Sequence, residues 1–252
     1  MRFPSLLESS LAVCAVFIAA SLASCSARYD LSLAADGSAE LELTAALEPK
    51  TANLISTLSR FGGDAGGEAG LNAPALQQSL RGAPGIASST LRNLDAHSLA
   101  GTISIADMDK FLSLSAASTK KTPATSLPPR FLSFNNTGST GRFSLFLDLE
   151  SGPPLLSLLA PEIVDYLHAL MAPLATGEKL SRSEYLELVT AVYGKGISEE
   201  IKKANIHLTV DLPGRADYVK GGKAMGKKAE YTVSLLDALV LEQPLTLEAT
   251  WK

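Results

Sequence analysis

Tyr29-Asp30-Leu31-Ser32-Leu33 alternates apolar and polar residues, and Leu41-Glu42-Leu43 resumes the same alternation further along the chain. Between the two runs lies Asp36-Gly37, and glycine accepts the positive φ angles of a tight turn at no steric cost. The stretch therefore predicts an antiparallel hairpin with one face toward the core and one toward solvent.

The same kinds of pattern continue to the end of the chain. Residues 86–94 and 99–105, and residues 131–135 and 142–149, predict two further antiparallel pairs, and residues 245–251 alternate as a last strand. Helical spacing follows Pro49, runs through residues 153–172, and begins again at Ser181, where Ser181 and Glu184 match a capping box. Strand pairs separated by helices indicate an α+β fold, with mostly antiparallel sheets and several helices packed on them.

The domain organisation is open between two interpretations. Residues 28–252 form one α+β ectodomain, or they form two related halves, 28–114 and 131–252, joined by a linker at 115–130 that is rich in Ser, Thr, Lys and Pro. A duplication is suggested because each half runs from a strand into a short acid-bearing helix.

The N-terminus carries a targeting signal. Leu22-Ala23-Ser24-Cys25 ends a short apolar run and resembles the lipobox of bacterial lipoproteins. The resemblance implies a signal peptide at 1–24, cleavage before Cys25, and fatty acid such as palmitate on its sulfur and new N-terminus. The apolar run of 11–22 spans roughly 18 Å as a helix, short of a bilayer core of about 30 Å. Residues 25–27 then form a very short lipidated tether.

Charge and cysteine content exclude several classes of function. Removing residues 1–24 takes away one Arg and one Glu, so the net charge stays at −4, which argues against non-specific nucleic-acid binding. Cys25 becomes the only mature cysteine, so the body holds no intramolecular disulfide. His97, His168 and His207 lack metal-ligand spacing, and we expect no metal and no cofactor beyond the covalent lipid.

Four lysines lie close together in an otherwise acidic chain: Lys220, Lys223, Lys227 and Lys228. The segment 221–228 nearly matches a phosphate loop, but Lys228 replaces the Ser or Thr that holds magnesium, and a strand pattern rather than a helix follows. We interpret it as a flexible basic loop whose lysines are candidates for contact with acidic headgroups or glycans. The leucine-rich segment 153–172 fits core burial or one wall of an apolar groove.

The start of the mature chain is similar to the opening of LppM-like envelope lipoproteins. In both, the anchor cysteine is followed by a strand, an Asp-Gly turn and a second strand, here Tyr29 to Leu33, Asp36-Gly37 and on to Leu41. The resemblance implies an α+β body and a role in binding envelope lipids or glycolipids. It transfers no functional residue other than Cys25.

The leading hypothesis is a membrane-anchored lipoprotein of the cell envelope that acts as a non-enzymatic binding module for an envelope lipid, glycan or protein. It sits on the cell membrane or the outer membrane, with its body facing the periplasm or the cell exterior. One alternative is a structural lipoprotein that holds an envelope protein complex together. The other is an envelope hydrolase, although the sequence contains no catalytic motif and we expect no enzymatic activity.

Overall fold

The computed structural model describes residues 26–61, 71–111, 132–138, 140–156 and 161–252. Both sheets and helices are present, and the described strands and helices are given in chain order. The strands are β1 Ser26–Leu33, β2 Ala39–Ala46, β3 Ile86–Asp95, β4 Ser98–Ile105, β5 Leu132–Asn136, β6 Gly141–Leu147, β7 Asn205–Asp211, β8 Ala216–Lys220, β9 Lys223–Met225, β10 Lys228–Ser234 and β11 Leu245–Trp251. The helices are α1 Pro49–Phe61, α2 Ala73–Leu80, α3 Gly152–Leu156, α4 Pro161–Ala169, α5 Pro173–Thr176, α6 Arg182–Tyr193, α7 Lys195–Lys203 and α8 Leu235–Val240.

The strands form two sheets. The larger sheet has the order β3-β4-β2-β1-β7-β10-β9, and the smaller has the order β5-β6-β11-β8. Every pair is antiparallel except β1 with β7, which run parallel through the middle of the larger sheet. The α+β class with mostly antiparallel sheets is confirmed.

The first hairpin forms as its sequence predicts. Gly37 adopts a φ of +86°, and the Asp36 carboxylate accepts hydrogen bonds from the Ser38 amide at 2.9 Å and the Ser38 hydroxyl at 2.6 Å. Leu31 lies opposite Leu41, and both side chains are buried. Since β1 is hydrogen-bonded on both sides, this hairpin lies at the centre of the larger sheet.

Both sheets and the helices contribute to a large shared hydrophobic core, and Leu47 and Ala52 belong to a second, small cluster. The inward-facing side chains of the larger sheet, such as Tyr29 and Tyr231, belong to the same buried cluster as Phe143 and Trp251 of the smaller sheet and Leu167 of α4. Burying each large apolar side chain contributes about 1.5–3 kcal/mol. The leucine-rich segment 153–172 contributes Leu155, Leu167 and Leu170 to this core, all with no exposed surface.

Strands that precede residues 115–130 in the chain and strands that follow them belong to the same larger sheet. β7, β10 and β9 continue the sheet begun by β1 to β4, so the described strands of the two suggested halves lie side by side in one sheet. The linker of 115–130 lies outside the described residues, and the division into halves stays a prediction. At the other end, Ser26 and Ala27 belong to β1, and Ala27 is 2% exposed, so these two residues form strand instead of the expected tether.

The helices around α7 differ partly from the sequence interpretation. The capping box of Ser181 and Glu184 is present, with the Ser181 hydroxyl accepting from the Glu184 amide and the Glu184 carboxylate accepting from the Ser181 amide. The Ser181 hydroxyl also donates to the Glu184 carboxylate at 2.6 Å, and this hydrogen bond, with a smaller contribution from the Ser181 amide, lowers the pKa of the Glu184 carboxyl. Helix α7 was not predicted, because Gly194 and Gly196 flank its first residue and suggest a break. Glu199 and Glu200 lie in the middle of this helix.

The Glu200 carboxylate holds the start of α1. It accepts hydrogen bonds from the amide and the hydroxyl of Thr51, both at 2.9 Å, and Thr51 is 1% exposed. We expect Glu200→Ala to lower the free energy of unfolding by about 2 kcal/mol, because a charged acceptor of buried donors is lost. Denaturant titration measures this. Glu199→Ala on the same helix is the matched control, and equal effects of the two variants would count against this role.

Candidate binding surface: the lysine hairpin

The four candidate lysines lie on one structured element. We call residues 216–228 the lysine hairpin: it consists of β8, a Gly221-Gly222 turn, β9, a second turn at Gly226 and the first residue of β10. The Ala216 amide donates to the Gly226 carbonyl at 2.9 Å, and β9 pairs with β10. The expected flexible loop is thus replaced by a short strand between two tight turns. This hairpin also joins the two sheets.

Glycine is required at the first turn. Gly221 has a φ of +79°, in the region that side-chain-bearing residues rarely adopt. A Cβ on Gly222 would overlap the Glu230 carbonyl oxygen and the ring of Tyr231. The turn therefore rests directly on the buried Tyr231 ring, and this contact fixes where the neighbouring lysines lie.

All four lysines are exposed, but their surroundings differ. The Lys228 ammonium forms an ion pair with Asp211 at 3.2 Å. Lys223 lies opposite Glu230 in the β9–β10 register, whereas Lys220 lies opposite Glu248, whose carboxylate is held by Arg142 at 3.0 Å.

Within the described residues, Lys227 forms no ion pair. An exposed ion pair such as that of Lys228 with Asp211 is worth about 0–1 kcal/mol. Pairing of this strength would not stop the lysines from binding an external anion.

The hairpin also exposes two large apolar side chains that the sequence analysis missed. Tyr218 is 51% exposed on β8, and Met225 is 58% exposed on β9. Each lies two residues from a lysine on its strand, at Lys220 and Lys223, so each pair shares one face of its strand. The alternation in Tyr218-Val219-Lys220 and Lys223-Ala224-Met225 is the signal that predicts this face. The surface thus combines positive charge with an aromatic ring and a thioether.

The local charge opposes that of the chain. Residues 215–230 contain five basic and two acidic side chains, a net charge of +3, whereas the whole chain carries −4. One of the two acids, Asp217, is ion-paired with Lys252. The positive charge of this region attracts anions to it, whereas the net negative charge of the rest of the chain repels them.

Strand register locates the hairpin relative to the start of the described chain. Ser26 lies beside Asn205 at one end of the β1–β7 pair, and Ser32 lies beside Asp211 at the other. Asp211 in turn lies opposite Lys228. Six residues of strand separate the two rows, which is about 20 Å at roughly 3.3 Å per residue. Lys227 and Lys228 are therefore at the far end of the sheet from residue 26, whereas the Gly221-Gly222 turn lies beside Tyr231, nearer the middle.

Tyr231 beneath the hairpin has an unusual environment. Its hydroxyl is buried and has no hydrogen-bond partner among the described residues. Burial, with a smaller contribution from the Glu248 carboxylate, raises its pKa well above the usual range. The phenol therefore stays neutral at physiological pH and acts in this position as an apolar support for the turn.

The other side chains that the sequence offers for chemistry are dispersed. His97, His168 and His207 are all exposed and lie far apart in the chain, His97 in the β3–β4 turn, His168 on α4 and His207 on β7. In the described ranges, no three His, Cys, Asp or Glu side chains come together as a metal site. The near-phosphate-loop sequence leads into β10 and not into a helix, in line with the strand pattern that follows it. Cys25 lies outside the described residues.

The chain shows a distant likeness to a known structure. No protein-family model matches the chain, and no curated protein matches its sequence. Among the helices of the described ranges, none is long and apolar enough to cross a bilayer. The chain is similar to the NMR structure of the folded domain of the LppM protein of Mycobacterium tuberculosis, at 13% identity and a TM-score of 0.40, over 90% of this chain and 88% of that domain.

Proposed function

We propose that this protein is a lipid-anchored lipoprotein of the bacterial cell envelope whose ectodomain is a non-enzymatic binding module, and that the lysine hairpin holds an anionic group of an envelope lipid or glycan. The anchor is Cys25, and the body faces the periplasm or the cell exterior. The single observation that carries the binding role is the exposed cluster of lysines beside Tyr218 and Met225 on an otherwise acidic chain.

The geometry suits a phosphate- or carboxylate-bearing ligand. Lys220 and Lys223 flank one turn, and Lys227 follows at the other end of β9, about 10 Å away along the strand. Lysine ammonium groups offer three donors each to anionic oxygens. Tyr218 and Met225 supply apolar contact for a sugar ring or the first carbons of an acyl chain. Because Gly222 rests on the Tyr231 ring, the backbone that carries the lysines is already ordered, and only their side chains lose freedom when they bind.

A matched pair of double variants tests the hairpin. Lys223→Gln/Lys227→Gln removes two hairpin charges, and Lys179→Gln/Lys195→Gln removes two exposed charges elsewhere. The two probes are heparin, which is a sulfated glycan, and phosphatidylglycerol in mixed micelles. Each is titrated against the detergent-extracted protein. Each lysine near an anionic surface contributes about 1 kcal/mol, or about fivefold in affinity, so we expect about 25-fold weaker binding for the hairpin variant.

The control variant is expected to bind within about twofold of the wild type. Loss of heparin binding alone identifies a glycan-type ligand, and loss of phosphatidylglycerol binding alone identifies a lipid headgroup. If the two double variants bind both probes equally well, the hairpin is not the binding surface.

A further inference from the structure

A second basic surface lies at the opposite end of the larger sheet, where the chain leaves the proposed anchor. Lys202 and Lys203 form the last turn of α7, directly before β7, and Arg28 lies two residues into β1. We call these three residues the anchor-side rim. All three are exposed, and none of them has an ion pair within the described part of the chain.

Strand pairing places the rim beside residue 26. Ser26 lies beside Asn205, and the Asn205 side-chain amide donates to the Lys203 carbonyl at 2.8 Å. Adjacent strands are about 4.8 Å apart, so the Lys203 backbone lies within about 10 Å of the start of β1. Arg28 lies next to His207 in the same register, on the exposed face.

The position of the anchor-side rim matters because Ser26 and Ala27, the expected tether residues, are part of β1. β1 begins at Ser26, so an acylated Cys25 is joined to the sheet by a single peptide link. A charge interacts strongly with a membrane surface only within a Debye length, about 8–10 Å at physiological salt. The rim lies within that range of the anchor, whereas Lys228 is about 20 Å further along the sheet.

We infer that the anchor-side rim lies against anionic headgroups of the membrane that holds the protein, so that the body stands with the lysine hairpin pointing away from it. This inference rests on the Cys25 anchor of the proposed function. One opposing carboxylate near this end of the sheet is Glu48, two residues beyond Ala46, the partner of Ser26. Lys202 and Lys203 also complement the α7 dipole, which is a structural role that any cation in the last turn would fill.

Lysine footprinting on vesicles distinguishes contact with the membrane from the purely structural role of Lys202 and Lys203 at the end of α7. The acylated full chain is placed in vesicles of phosphatidylcholine, with or without phosphatidylglycerol, and acetylated with an uncharged reagent. Mass spectrometry reports the modification rate at each lysine. Two lysines at an anionic surface favour the docked orientation by about 25-fold. We therefore expect acetylation of Lys202 and Lys203 to slow about tenfold when phosphatidylglycerol is present, and high salt to remove the difference.

Lys179 and Lys195, which lie outside both basic surfaces, serve as internal controls and are expected to react at the same rate on both kinds of vesicle. Equal rates at Lys202 and Lys203 on both vesicles, as a purely structural role requires, would overturn the proposal. Protection of Lys223 and Lys227 instead would show the reverse orientation and overturn it as well. Failure of the anchor itself is distinguishable, because the protein would then not sediment with phosphatidylcholine vesicles at all.

Discussion

Trp251→Ala is expected to lower the free energy of unfolding by about 3–5 kcal/mol, the usual cost of removing a buried large aromatic side chain. Trp251 is the second-last residue, yet it is 2% exposed and lies in the core that both sheets share. Its ring lies 6.1 Å from the Phe134 ring, centroid to centroid, and covers Gly141, where any side chain would overlap it. A loss of this size is a large part of a typical total of about 5–15 kcal/mol.

Chemical denaturation followed by far-UV circular dichroism measures the effect, because Trp251 is the only tryptophan and its fluorescence disappears in the variant. Tyr218→Ala, an exposed aromatic on the neighbouring β8, is the control and is expected to change stability by less than about 0.5 kcal/mol. If Trp251→Ala is as stable as Tyr218→Ala, the last strand does not close the core.

Cys25→Ser is expected to abolish incorporation of labelled palmitate into the protein. Under the proposed function, its sulfur and new N-terminal amine carry all of the acyl chains. One chain alone holds a protein on a membrane only weakly and reversibly, so stable attachment depends on the full set. Metabolic labelling followed by immunoprecipitation measures the incorporation directly.

Cys14→Ser is the matched control for this experiment. Cys14 is the other cysteine of the chain, and it lies in the proposed signal peptide. We expect Cys14→Ser to keep the wild-type level of label. Persistent labelling of Cys25→Ser, or equal loss in both variants, would show that Cys25 is not the acylated residue.

Local sequence patterns predict the parts of this fold whose hydrogen bonds are local. Asp36-Gly37 supplies both the positive φ angle and the side-chain acceptor that its turn needs, so the first hairpin is visible in the sequence. The capping box at Ser181 is visible for the same reason, because its donors and acceptors lie three residues apart. The alternation of residues 245–251 likewise predicts β11.

Pairing between distant strands is not visible in this way. β1 and β7 lie side by side although about 180 residues of chain separate them, and alternation specifies which face of a strand is buried but not which strand is its neighbour. Together with the β7–β10 pair, it determines that Lys228 and residue 26 lie at opposite ends of the sheet. The separation of the two basic surfaces could therefore be inferred only from the structure.

Two segments with glycines have more regular structure than their sequences indicate. Gly194 and Gly196 suggest a loop, yet Ile197 and Ile201 are buried one helical turn apart and hold α7 in place. Gly221 and Gly222 suggest flexibility, but at these positions glycine serves a turn that has no room for a side chain. In both cases tertiary packing outweighs the local preference. The four lysines were found from composition, whereas the contribution of Tyr218 and Met225 needed their exposure.

Intact-mass spectrometry of the protein, extracted from the membranes of the producing cells, reports the N-terminal residue and the acyl mass together. We expect a chain that begins at Cys25 and carries the added mass of fatty acyl groups at its N-terminus. A chain that still begins at Met1 and carries no acyl mass would contradict the proposal of a lipid-anchored binding module.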